Sequence, residues 1–525
     1  ASDADVDTDG DGINNIVEFQ NGTDINDATS AGDACELGNS RGELTSTLTE
    51  EKRLMVANPG SNNNQKTFLR IVNDNSIATD VEVYGIDDGG VRSKKGPMTF
   101  TLAPNEAKQM TAQDIEGGND GKGLVGNLCN GQGKWQLVVR SSNPVQVMGL
   151  IRTPDGFLTS LNDVVNKAGN DNLVYFANPG SNTRQQTFLR IVNRSNNRGG
   201  VTVTAIDDSG ADSVGTVSFD LDPNESKQMT AQDLEQGNTV KGLTGTLDNG
   251  AGKWRLRVTS SLDLEVMSMI RSEDGFLTNL SGMVDQAASD HVIYFANPAS
   301  ETFRQTFLRI INTGSSQGTV TIAGIDDSGN IAPNGDVMFD LNAGESKQMN
   351  ASDLENGNLD KGVLGMLGTG DGRWKLTVSS SLDLEVMSLV RTPDGFLTNL
   401  SRTTPVSGGV NEVWLFNPAS NVNQKSTLRL VNNDSTRGSV TISAIDDTGA
   451  SAPNGEIIFN IGADSAMSIS ALDLEDGNGD MGLVGSLGNG AGKWRLRISS
   501  DVDLQVQSLL ETPSGFLTNL SRPVD

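Results

Sequence analysis

Basic residues are scarce: 39 Lys and Arg stand against 67 Asp and Glu in 525 residues, for a net charge of -28. That balance argues against nucleic acid or an anionic membrane as partner, since a phosphate-rich surface would repel the chain. Acidic surfaces do attract divalent cations and keep extended proteins soluble. Histidine is nearly absent. The single His291 falls in a polar stretch between repeated units, where an exposed structural role is expected. A Ser-His-Asp or Cys-His arrangement would depend on that one residue, and no histidine-based zinc cluster can be assembled. There is no Walker loop and no dinucleotide fingerprint. No apolar run approaches the roughly 20 residues that span a bilayer as a helix. Aromatic residues make up only 5%. The chain shows no initiator methionine or signal peptide and opens at "ASDAD", as expected of a processed exported protein.

What is present is repetition. "ANPGSN" at Ala57 returns at Ala177, then as "ANPASE" at Ala296 and "FNPASN" at Phe416. "IDD" pairs follow in step at Asp87/Asp88, Asp207/Asp208, Asp326/Asp327 and Asp446/Asp447. So do Trp135, Trp254, Trp374 and Trp494, and each unit closes on Phe157, Phe276, Phe396 or Phe516. A period of about 120 residues is a whole domain rather than a solenoid tile. The boundaries read as 41–165, 166–285, 286–404 and 405–525, after an acidic segment over 1–40.

Within a copy the hydrophobic period is two. Trp254, Leu256 and Val258 alternate with Arg255, Arg257 and Thr259, and Val217, Phe219 and Leu221 with polar positions. Such strands are half buried and antiparallel in character. Sixty glycines and abundant Asn and Asp supply the turns. The expected fold class is all-β: four tandem immunoglobulin-like antiparallel β-sandwich domains, each of seven to nine short strands. One helical turn interrupts each copy, with Thr111, Thr230, Asn350 and Ser470 as N-caps and Asp114, Asp233, Asp353 and Asp473 three residues on. Asp233 and Glu235 have the look of an acid/base pair, but capping accounts for the aspartate. The "IDD" pairs read as turns at strand ends, with cation binding as the alternative. The four repeated tryptophans read as core, with a carbohydrate platform as the alternative; Trp414 stands where other copies have Tyr175 and Tyr294.

About ten polar residues join successive copies, as in "NDVVNKAGNDN". Short connectors favour beads in a row. With sandwiches of roughly 30–40 Å, an end-to-end array would exceed roughly 100 Å. Cys35 and Cys129 are the only cysteines. Cys129 occupies a position held by Asp248, Gly368 and Gly488 elsewhere, so the sandwich does not need it. A disulfide between the two would pin the N-terminal segment to the first copy and imply an oxidising compartment; two unrelated buried thiols are the alternative. Arg92, Lys94 and Lys95 form a basic patch peculiar to the first copy, a docking point for an acidic neighbour or an ordinary solvated loop.

The opening stretch "DTDGDGINNIVE" places Asp7, Asp9, Asp11, Gly12 and Glu18 at calcium-loop spacing. It resembles the thrombospondin type 3 and dockerin-like (EF-hand-like) calcium repeats of exported proteins. The loop pattern implies a calcium ion held by Asp7, Asp9, Asp11, the Ile13 carbonyl, Asn15 and Glu18. A second ion would use Asp3, Asp5, Asp24 or Asp27. The large repeats resemble the tandem immunoglobulin-like modules of bacterial exported proteins. Together these imply a secreted or cell-surface, calcium-stabilised, non-enzymatic structural protein. Its expected setting is a cell surface, a matrix or a homopolymeric fibre in which repeat faces meet head to tail. An adhesin or polysaccharide-binding accessory array is the first alternative, and the non-catalytic portion of a secreted hydrolase the second.

Overall fold

A computed structural model describes residues 48–168, 170–287 and 290–524. In the first copy the strands are β1 (Glu50–Ala57), β2 (Lys66–Asn73), β3 (Thr79–Asp87), β4 (Met98–Leu102) and β5 (Ala107–Thr111). After helix α1 (Ala112–Gly117) come β6 (Trp135–Ser141), β7 (Val145–Arg152) and β8 (Leu158–Ser160). Every pairing is antiparallel, in one sheet ordered β1-β6-β3-β4 and another ordered β5-β2-β7-β8. The other copies repeat both sheets, with one short extra strand beside the first. The chain is thus four tandem all-β sandwich units. In a constant-type immunoglobulin domain the first strand shares a sheet with the second, fourth and fifth, and the last with the third and sixth. Here β1 and β4 lie with β3 and β6, while β7 lies with β2 and β5.

The alternating strands behave as their pattern dictates. Val217–Leu221 buries Val217, Phe219 and Leu221 and turns Ser218 and Asp220 outward. The β2 and β7 strands differ. From Thr67 to Asn73 every residue of β2 is buried, so its sheet is covered on both faces. Leu69 and Ile71 enter the core of their own sandwich. Phe68 and Val72, on the other face, pack with Trp414, Leu415, Leu510 and Leu520 of the fourth copy.

That packing closes a ring. The second copy meets the third through Tyr175, Phe176, Phe307 and Leu389, and the third meets the fourth through Phe295, Val390 and Leu509. Phe157, Phe276, Phe396 and Phe516 converge on the pseudo-fourfold axis, with ring centroids 4.5–6.0 Å apart. Around them Thr159 donates to the Leu277 carbonyl, Thr278 to Leu397, Thr398 to Leu517, and Thr518 back to Leu158. The beads-in-a-row arrangement expected from the connectors is therefore corrected. The connectors are short because they cross onto the next sandwich: the amides of Val165, Val284 and Thr404 donate to the carbonyls of Val266, Val386 and Val506. Val524 does the same to Val147, at 2.8 Å, and completes the cycle. Val165, Val284 and Val524 are accordingly buried in the cores of the second, third and first copies. By packing, each copy gives up its last few residues, before positions 165 and 285, to its successor.

Candidate functional site: the seams between copies

The "IDD-x-G" turn, which the sequence suggests as a strand end or a cation site, is the socket of each seam. Its first aspartate is local: Asp207 Oδ1 accepts from the amides of Ser209 and Ala211, and Oδ2 from that of Ala251 at 2.8 Å. Burial raises its pKa, but hydrogen bonds from Ser209, Ala251 and Ala211 outweigh this and hold it below the usual carboxylate range. The second aspartate reaches the next copy. Asp88, Asp208 and Asp327 pair with Arg190, Arg309 and Arg429, and Asp447 pairs with Arg70 across the closing seam, at 2.7–2.8 Å.

Each arginine lies on the β2-type strand, at most 1% exposed. Its Nε donates to a backbone carbonyl of the preceding copy: Arg190 to Met55, Arg309 to Tyr175, Arg429 to Tyr294, and Arg70 to Trp414. The carbonyls of Asp88, Asp208, Asp327 and Asp447 in turn accept from the amides of Ser226, Ser346, Ala466 and Ala107. The glycine of the motif has a reason to be glycine. At Gly210, φ is +88°, and a Cβ would sit 2.6 Å from the Ala343 carbonyl oxygen of the next copy.

Carboxylates with a catalytic look are committed inside each sandwich. Trp135, Trp254, Trp374 and Trp494 are core residues, 1–2% exposed. Their indole N–H groups donate to Glu116, Glu235, Glu355 and Glu475 at 2.7–2.8 Å. All four capping boxes are formed. Asp233 accepts from the Thr230 amide and from Asn238, and pairs with Lys241 at 2.6 Å. Burial raises its pKa, but these partners prevail and bring it to about 2. Asp233 and Glu235 thus do separate structural jobs. Trp414 is also buried, with the Arg495 guanidinium 4.8 Å from its ring.

His291 is corrected from an exposed linker residue to a strand residue only 3% exposed, within Asp290–Ala296. Burial lowers its pKa, the nearby Val284 and Leu384 backbone opposing this, and neither ring nitrogen has a hydrogen-bond partner of good geometry. Its equivalents clamp the same connector. Asn411 binds the Leu504 carbonyl and Thr404, and Lys52 Nζ binds the Val524 carbonyl at 3.2 Å. In the first-copy basic patch, Arg92 lies 4.4 Å from the Tyr84 ring centroid, while Lys94 is exposed.

Asp7, Asp9, Asp11, Ile13, Asn15 and Glu18, with Asp3, Asp5, Asp24, Asp27 and Cys35, lie outside the described residues. Cys129 is buried and disulfide-bonded. Its φ of 61° matches the positive φ of Asp248, Gly368 and Gly488, so this position turns left-handed in every copy. Among the described residues no group of three or more His, Cys, Asp or Glu side chains is placed to hold a metal, and no helix is long and apolar enough to cross a membrane.

No protein-family model and no curated protein sequence matches the chain. Among solved structures, a glycoside hydrolase family 32 protein from Bifidobacterium adolescentis is 10% identical, with 90% of this chain and 100% of that one covered, at a TM-score of 0.14. Dimeric latent PorU from Porphyromonas gingivalis is 11% identical over 72% of this chain and 32% of its own, also at 0.14. Likenesses this slight carry no argument about fold or activity.

Proposed function

We propose that the chain is a non-enzymatic, extracellular structural protein whose four repeats act as one rigid body at a cell surface or in a matrix, with a calcium-stabilised N-terminal segment. The observation that carries this reading is the closed cycle of seams. The same arginine, aspartate and backbone contacts recur at all four junctions, including the one that joins the first copy to the fourth. A chain that invests its most buried charges in holding its own modules together has the makings of a scaffold. Head-to-tail contact between identical modules normally propagates or closes according to its rotation. Here the complementary faces are filled within one chain, so a fibre of such bodies would be built through other surfaces. Imaging of the purified native protein tests the reading. Compact four-lobed particles, alone or as regular units of a larger assembly, are expected. Extended flexible strings, or turnover of a polysaccharide abolished by replacing one buried glutamate, would overturn it.

A further inference from the structure

We propose that three of the four seams bind a small inorganic anion of halide to sulfate size: beside Lys134 and Arg271 in the first, Lys253 and Arg391 in the second, and Lys493 and Arg152 in the closing seam. The first seam contains a cavity of about 70 Å³ lined by Lys134, Arg271, Asn58, Gln65 and Gln228 over an apolar floor that includes Phe188 and Met269. That is several times the roughly 10–15 Å³ that one water requires.

Charge at this place is unbalanced, and in the direction opposite to that of the whole protein. Lys134, Arg190 and Arg271 gather around one carboxylate, Asp88, which is already engaged by Arg190 Nη2 at 2.8 Å and by the Lys134 amide at 2.9 Å. Lys134 Nζ finds only the neutral Gln228 oxygen, at 3.0 Å. Arg271 donates to Gln186 at 2.8 Å and lies 4.8 Å from the Phe188 ring centroid. Arg190, 0% exposed, keeps Nη1 without a hydrogen-bond acceptor, a feature that Arg429 of the third seam shares. Among the described residues neither Lys134 nor Arg271 forms an ion pair, nor do Lys253, Arg391, Lys493 or Arg152. Asp155, Glu273 and Asp274 line a wider groove outside with Arg271, but not the cavity. The placement recurs in the second and closing seams, where Arg391 lies 4.5 Å from the Phe307 ring centroid and Arg152 4.7 Å from that of Phe68, as Arg271 does beside Phe188. Burial, and after it the neighbouring arginine, lowers the pKa of each of the three lysines. Arg190 is buried and Lys134 half-buried, while Arg271 stands exposed at the mouth of the cavity. Desolvating even part of such a cluster is costly, and a captured anion relieves it.

The third seam serves as an internal control. Where the others have Arg271, Arg391 and Arg152, it has Glu511, which pairs with Arg304 at 3.0 Å. There Arg373, Arg429 and Arg304 stand against Asp327, Glu511 and Glu301. This seam keeps three cations but matches them with three carboxylates of its own.

Crystals of the full chain soaked in sodium bromide, measured for anomalous scattering at the bromine edge, test the assignment. Peaks are expected beside Lys134, Lys253 and Lys493 and not beside Arg373. In a Lys134→Gln/Arg271→Gln double variant the first peak should vanish while the other two remain. Absence of all three peaks, an equal peak in the third seam, or a first-seam peak unchanged by the double substitution would overturn the proposal. In solution at constant ionic strength, replacing gluconate by chloride should raise Tm more for the native chain than for the double variant. Equal shifts would count against it.

Discussion

Arg70 in the first copy and Asp447 in the fourth meet at 2.7 Å, Nη2 to Oδ1, and so join the two ends of the repeated region. The arginine side chain is 1% exposed and the aspartate 24%. Removing one partner of a buried pair leaves the other charge uncompensated, at a cost of about 3–5 kcal/mol. Asp447→Ala should therefore fall in that range by denaturant unfolding, towards its lower end because water reaches the carboxylate. Small-angle scattering should show the ring loosening at this seam first, because no connector bridges it. A loss under about 1 kcal/mol, the scale of an exposed pair, would mean that the closing contact does not hold the ring.

Much of the sandwich was legible because alternation is a one-face signal. Val217, Phe219 and Leu221 point inward as their spacing requires, and the capping boxes follow from Thr230 and Asp233 alone. The ring leaves only a trace in the sequence. "TFLRIVN" and "LEVMSMIR" do not alternate, which marks strands covered on both faces, and an arginine within such a run needs a buried partner. The glycine after each "IDD" pair looked like an ordinary turn residue, and only the neighbour's carbonyl beside Gly210 shows why no side chain fits. The residues that join copies repeat with the same period as those that pack within one, so the repeat alone does not tell the two apart. The polar surroundings of His291 likewise give no sign of its burial in a strand.

The capping aspartates set an acid limit. Asp114 and Asp233 are each brought to about 2: burial raises the pKa, but lysine and backbone hydrogen bonds lower it by more. A carboxylate depressed in the folded state stabilises fully above its unfolded pKa of about 3.9 and loses that contribution as pH falls through the folded value. Wild-type Tm should therefore drop between about pH 4 and 2. Asp233→Asn should be less stable at neutral pH by roughly 1 kcal/mol, the usual scale of a lost cap, and should show a shallower acid dependence. Parallel pH profiles would show that the cap does not contribute.

His291 makes a prediction of the same sign, but near neutrality. Its folded pKa is lowered, first by burial, so its contribution is complete above the unfolded value of about 6.5 and fades as pH falls below it. Asn172 and Asn411 occupy the equivalent position in other copies, both buried. His291→Asn should fold, hold the connector near Val284, and flatten the stability profile between about pH 6.5 and 5. His291→Ala should destabilise at every pH, because it removes a buried side chain and leaves a cavity. An unchanged profile in the asparagine variant would place the acid sensitivity elsewhere.

The N-terminal segment is where calcium should matter. Asp7, Asp9, Asp11, Asn15 and Glu18, with the Ile13 carbonyl, form a hard oxygen set, and Gly12 stands where such a loop must turn sharply. With a chelator the clustered carboxylates should repel, and proteolysis before Arg41 should accelerate while the ring keeps its Tm. The ring's seams contain no described metal cluster, so the two effects are separable. A Cys35–Cys129 bond would tether the segment even without the ion. Closing a loop of that length stabilises by roughly 4–5 kcal/mol in the chain-entropy model. Native protein should then resist thiol labelling, and Cys129→Ser should release the segment to proteases in chelator without disturbing the left-handed turn, which Asp248 already makes in the second copy. If chelator leaves proteolysis unchanged in both the native chain and Cys129→Ser, the acidic stretch is a charged tail and the calcium assignment fails.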